Sequence, residues 1–158
     1  MTLKPSVPPP ARPGPPAQLG RTAAWLAKQV ELGLNEVDLS LPQYRILWLL
    51  DYGPEVSSAL AERLAVRPPS VTAVVDGLVA RGLVERRHSE GDRRRVPHEL
   101  TPAGRAALEA ADAAVDRRLA DIAACLPHAA DGERAVAGLE LWRGAMLAHR
   151  ERTLGTAP

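Results

Sequence analysis

Phenylalanine is absent, and aromatic residues make up only 3% of the 158-residue sequence. A core must therefore come from Leu, Val and Ala, and the abundance of Ala and Leu favours helices. There is one cysteine, Cys125. It excludes an intrachain disulfide framework and fits a reducing, cytoplasmic setting. No apolar run approaches the roughly 20 residues of a membrane span, so no membrane partner is expected. Glycine-rich phosphate loops, a nucleophile elbow and paired-carboxylate motifs are all missing, which argues against an enzyme. His88, His98, His128 and His149 show no metal-binding spacing, so neither a metal nor a cofactor is expected. The length suits one domain with extensions.

Residues 1–16 hold seven of the fifteen prolines and read as an extended, solvated arm without the apolar region of a signal peptide. A helical pattern follows from about Gly20 to Glu36, with Trp25, Leu26, Gln29 and Val30 at helical spacing. Ser40 can cap a second helix, with Pro42 near its start and Tyr44, Leu47, Trp48 and Leu50 on a broad apolar face. Gly53-Pro54 ends it. Ser57 or Ser58 can cap a short third helix, Ala59 to Leu64. A fourth starts at Pro68-Pro69 and places Val71, Val74, Val75 and Leu78 on one stripe. Gly82 suits a left-handed stop. Two short strands around a polar turn then read as a hairpin, in which His98 is expected half-buried and Pro97 suits a strand end. Thr101 can cap a long helix with Leu108, Val115, Leu119, Ile122 and Leu126 on its stripe, ended by Pro127. A last helix spans about Gly132 to Arg152, with Val136, Leu139, Trp142 and Met146 on its stripe.

Two short helices joined by a tight turn and followed by a basic hairpin are the parts of a winged helix-turn-helix. Charge agrees. The net charge is only +1, yet residues 81–95 carry six Arg against three acids, a local +3 set against −2 for the rest. That is an electrostatic footprint for phosphate. A solvated Arg-rich loop would have the same composition without the preceding helix pair.

The segments LPQYRILWLLDYGP, SSALAERLAVRPPSVTAVVDGLVARGLVERR and GDRRRVPHELTPAGR, in this order over residues 41–105, resemble the MarR family of winged-helix transcription regulators. The resemblance implies a fold that is mainly α with a small β-hairpin wing (α+β), a winged helix-turn-helix with N- and C-terminal dimerisation helices. Residues 1–18 would be a disordered Pro-rich arm, 19–40 and 103–154 the dimerisation helices, and 41–102 the DNA-binding domain. It further implies a homodimer that acts as a sequence-specific regulator, a ligand-responsive repressor on a pseudo-palindromic site of double-stranded DNA. The alternative is a winged-helix protein–protein module without specific DNA reading. Helical periodicity alone leaves open whether the outer helices pair with a second chain or fold back within one.

The resemblance places Arg67, Pro68, Ser70, Thr72 and Ala73 at the start of the reading helix, where bases and phosphates are touched. The hydroxyls suit phosphates or base edges, and Ala73 can meet a thymine methyl. Because this helix is poor in cations, Arg86, Arg87, Arg93, Arg94 and Arg95 of the wing must supply much of the affinity. Asp92 would orient Arg94, or else Arg93, into a narrow minor groove, or the pair would merely shape the turn. Trp25, Tyr44 and Trp48 would line a cleft for a small amphipathic or aromatic ligand, or serve as core aromatics. Cys125 is expected to be a buried, inert thiol.

Overall fold

The computed structural model describes residues 17–87 and 96–154. In chain order the elements are α1 (Ala17–Asn35), α2 (Leu41–Asp51), α3 (Ser57–Leu64), α4 (Pro68–Ala80), β1 (Val84–Arg86), β2 (His98–Leu100), α5 (Pro102–Ala123) and α6 (Ala129–Leu154). The Pro-rich arm through residue 16 lies outside the described residues. So does the wing tip, with His88, Asp92, Arg93, Arg94 and Arg95. Residues 17 and 18, read as arm, belong instead to α1.

Local chemistry explains most boundaries. At α2 a reciprocal cap forms: Gln43 N donates to Ser40 Oγ at 3.4 Å, and Ser40 N donates to Gln43 Oε1 at 2.9 Å. Thr101 caps α5 by accepting from Gly104 N at 3.0 Å, and its hydroxyl donates to Gly82 O at 2.7 Å. The α5 cap is thereby pinned to the end of α4, where Gly82 takes the left-handed conformation expected of it, with φ of +69°.

The α3 cap differs from expectation. Neither serine caps; the N-cap residue is Val56, without a side-chain bond, and the helix starts at Ser57. The Ser57 hydroxyl is drawn away to His98, 2.9 Å distant. Ala65, with φ of +54°, makes the left-handed turn between α3 and α4.

β1 and β2 pair antiparallel, with Val84 opposite Leu100, Glu85 opposite Glu99 and Arg86 opposite His98. Pro97 falls just before β2, and its carbonyl accepts from Arg87 N at 2.9 Å, so the missing N–H costs no ladder bond. Glu55 adds a one-residue third strand through a bridge to His98. His98 is buried rather than half-buried, because this bridge closes over it from the α3 side.

The core joins Ile46, Leu47, Leu49 and Leu50 of α2, Leu60 and Leu64 of α3, Val71, Val75 and Leu78 of α4, Val84 and Leu100 of the wing, and Leu108, Ala111 and Val115 of α5. Two glycines stand where its elements approach closely. A Cβ on Gly104 would lie 1.9 Å from Leu83 O, and one on Gly33 would lie 3.2 Å from Val115 Cα, where α1 meets α5. Arg118 reinforces that crossing, with Nη2 donating to Gln29 Oε1 at 2.8 Å.

The stripe of α5 is buried only in its first half. Ile122 and Leu126 are exposed, as are Val136, Leu139, Trp142 and Met146 of α6 and Trp25 of α1. Cys125 is exposed, not buried, because it sits where α5 has left the core, and its Sγ lies 3.4 Å from Asp121 O.

Candidate nucleic-acid interface

The reading helix is amphipathic by construction. Val71, Val75 and Leu78 anchor it, which turns Arg67, Pro68, Pro69, Ser70, Thr72 and Ala73 to solvent at its N-terminal end. Helix N-termini attract phosphate through unpaired N–H groups. Here Pro68 and Pro69 have none, and Ser70 N is turned back onto Arg67 O at 3.1 Å. What this end offers is its side chains. The guanidinium of Arg67, the N-cap residue, has no ion pair or hydrogen bond among the described residues, and neither has the Ser70 hydroxyl. Thr72 Oγ1 donates to Pro68 O at 3.2 Å, a long and exposed bond that a phosphate oxygen could replace.

The wing arginines that are described behave differently. Arg86 is ion-paired with Asp76 of α4, and Arg87 with Glu99 of β2 at 3.4 Å. Arg63 is likewise engaged by Glu55 at 3.1 Å, and Arg81 by Asp38 at 3.3 Å. The Asp76–Arg86 pair straps the reading helix to β1. Such half-exposed pairs contribute only about 0–1 kcal/mol each, so exchange of a carboxylate for a phosphate carries little cost. Neither this pairing nor the Ser57–His98 contact could be found from spacing, since each joins residues brought together only by the fold. Gly104 left a fainter trace, as a glycine in the first turn of a helix that has no need of one.

The three aromatic residues expected to line a ligand cleft stand in different surroundings. Trp25 is 74% exposed, and Trp48 packs edge-on against Tyr52 with ring centroids 6.1 Å apart. The Tyr44 hydroxyl donates to Asp112 Oδ1 at 2.6 Å. Burial, followed by the Asp112 and Asp116 charges, holds its pKa well above the ordinary tyrosine value. A cavity of about 310 Å³ lies elsewhere, between α1, α2 and the back of the reading helix. Leu41, Ile46, Leu64, Val71 and Val74 make it largely apolar, with Arg45, Ser70 and Glu31 also in its wall, the last ion-paired with Lys28 at 2.9 Å. Arg45 has no partner among the described residues. Ser70 therefore belongs both to the exposed end of the reading helix and to this cavity.

Among the described residues no cluster of His, Cys, Asp or Glu could hold a metal ion, and no helix is long and apolar enough to cross a membrane.

Residues 39–96 match the model of the MarR family. The chain is 36% identical over 98 residues to the HTH-type transcriptional repressor Rv2887 of Mycobacterium tuberculosis, covering 61% of this chain and 70% of that one. It is 35% identical over 86 residues to the HTH-type regulator YfiV of Bacillus subtilis, of whose length it spans 48%. Rv2887 in complex with DNA superposes with a TM-score of 0.66 at 29% identity, over 82% of this chain and 98% of that one. In its complex with salicylic acid the TM-score is 0.63 at 30% identity, over 81% and 96%.

Proposed function

The chain belongs to the MarR family of winged helix-turn-helix transcription regulators, and on that premise we propose that it acts as a homodimeric repressor released from DNA by a small aromatic or amphipathic acid. It is a DNA-binding regulator and not an enzyme. The observation that carries the DNA reading is the solvent-facing end of α4, with unpaired Arg67 beside Ser70, Thr72 and Ala73. Arg67 supplies phosphate attraction, and the short side chains let the helix approach base edges. Arg86 and Arg87 exchange their carboxylates for phosphates, and Arg93, Arg94 and Arg95, with Asp92, add contacts to the duplex.

Two chains are needed. One reading helix spans half a site, and Trp25 of α1 and Val136, Leu139, Trp142 and Met146 of α6 stand exposed among the described residues. Interlocking them with a second copy makes residues 19–40 and 103–154 the dimerisation part and 41–102 the DNA-binding part. It also sets the two reading helices about 34–36 Å apart on a rough palindrome.

The ligand acts through the cavity behind α4. An apolar ring fits among Leu41, Ile46, Leu64 and Val71, and a carboxylate fits Arg45. Occupation pushes on Ser70, Val71 and Val74, and so moves the reading helix. Trp25, Tyr44 and Trp48, the aromatics first expected to hold a ligand, do not line this cavity. Fluorescence anisotropy on the DNA upstream of its own gene, with salicylate titrated in, tests this. Salicylate should release the duplex, and Arg45→Ala should need about tenfold more of it for the same release, as for a lost charged contact of about 1.4 kcal/mol. An unchanged response in Arg45→Ala would place the ligand elsewhere.

A further inference from the structure

We propose that His98 is a positioning residue for the wing, and that a proton taken up on its ring frees β2 from residue 55 and weakens the hold on DNA. This rests on the DNA-binding reading above. His98 is 5% exposed, the one buried polar side chain among the described residues. Its backbone exchanges two bonds with Glu55, His98 N to Glu55 O at 2.8 Å and Glu55 N to His98 O at 3.0 Å. Its ring Nε2 lies 2.9 Å from Ser57 Oγ, at the first residue of α3. Together these fasten the wing to the helix-turn-helix. The β1–β2 ribbon has only three residue pairs, too few to hold a fixed angle unaided.

The ring is built to be neutral. Nδ1 is buried and has no hydrogen-bond partner among the described residues. With the proton on Nε2, donated to Ser57, only a bare lone pair is left at Nδ1. A second proton would put an N–H there with no acceptor, which is the costlier state. Arg86, opposite His98 in the ladder, adds positive charge, and its own partner Asp76 of α4 acts in the other direction. Burial first, then Arg86, lowers the pKa of the ring, against the smaller opposing effect of Asp76. The carboxylates on the surrounding elements are already engaged: Glu55 by Arg63, Glu99 by Arg87, and Asp51 of α2 by Arg105 of α5. None is free to welcome an imidazolium, so the ring must leave its site, and the Glu55 bridge goes with it.

The sign of the effect identifies it. Acid adds positive charge to the protein, and charge alone would tighten its binding to phosphate. Release of the wing does the opposite. Anisotropy on the upstream DNA at fixed ionic strength, from pH 7.5 to 5.5, should show binding weakened by about tenfold, within the limit of one linked proton. His98→Gln can still reach Ser57 but does not titrate, so its affinity should stay level or rise with acid. Parallel profiles for the two proteins, or tighter binding of the unaltered protein in acid, would overturn the proposal. A second measurement needs neither DNA nor a variant. NMR of the free protein should show the Glu55 and His98 amides losing exchange protection together at the midpoint of the His98 ring titration. Protection that survives the ring titration would also overturn it. Absence of specific DNA binding at every pH would count against the regulator reading, while the amide measurement would still decide the role of His98.

Discussion

The helix-turn-helix lobe and the outer helices are built from similar residues but reach different ends. In the lobe, Leu47, Leu60 and Leu78 are fully buried, and Arg63, Arg81, Arg86 and Arg87 are engaged by carboxylates. On the outer helices, Trp142 is 62% exposed and Leu141 76% exposed. The lobe satisfies itself within one chain. The outer helices leave apolar side chains exposed among the described residues, so the same type of side chain closes a core in one region and meets solvent in the other.

The strongest way to sharpen this contrast is a matched pair of truncations. Leu47→Ala should cost about 2–5 kcal/mol of folding stability at any protein concentration, measured by urea unfolding. Trp142→Ala should leave the dilute chain as stable as before but shift the monomer–dimer equilibrium towards monomer, read by sedimentation at micromolar concentrations. Equal losses of monomer stability from both would erase the distinction.

Gly104→Ala comes next. Its new Cβ meets Leu83 O, a backbone atom that cannot swing aside, so the α4–α5 junction must open, at a cost of about 1–3 kcal/mol. Gly33→Ala, whose nearest contact is at 3.2 Å, should lose less. Thermal unfolding of the two variants ranks them, and the reverse order would mean that the α1–α5 crossing is the tighter one.

The lobe was legible in the sequence because its determinants are local. Ser40-x-x-Gln43, the Pro68-Pro69 start, the Val71-Val75-Leu78 stripe, Gly82 and Thr101-Pro102 each act within a turn or two. The outer helices were legible as helices, but not in what they cover, since Ile122, Leu126 and Trp142 have the periodicity of a buried stripe whether the cover is this chain or another. The expectation of a buried Cys125 failed for the same reason. Site residues divided in the same way. Helical phase is enough to turn Arg67, Ser70, Thr72 and Ala73 outward. The engagement of Arg86 by Asp76, and of His98 by Ser57, depends on contacts ten and forty-one positions apart, which no spacing rule records.

Thr101→Ala should remove a cap that also holds Gly82 O, for a loss of about 1 kcal/mol in the same unfolding assay. Smaller still is the acid dependence contributed by His98. Its folded pKa is lowered, so the unfolded chain binds the proton more readily. The neutral ring's contribution is therefore present above about pH 6.5 and is lost as pH falls below it, at no more than about 1.4 kcal/mol per pH unit. Urea midpoints from pH 7.5 to 5.5 should fall more for the unaltered protein than for His98→Gln. Identical slopes would contradict the lowered pKa.

The most direct measurement is a titration of the DNA upstream of its own gene, by sedimentation and anisotropy together, over a series of salt concentrations. Two chains should bind each site, with the preference over scrambled DNA persisting as salt rises. Arg67→Ala should weaken binding by about 1–3 kcal/mol and reduce the salt slope by about one charge. A single chain per duplex, or equal affinity for both DNAs at every salt concentration, would contradict a dimeric, sequence-reading regulator.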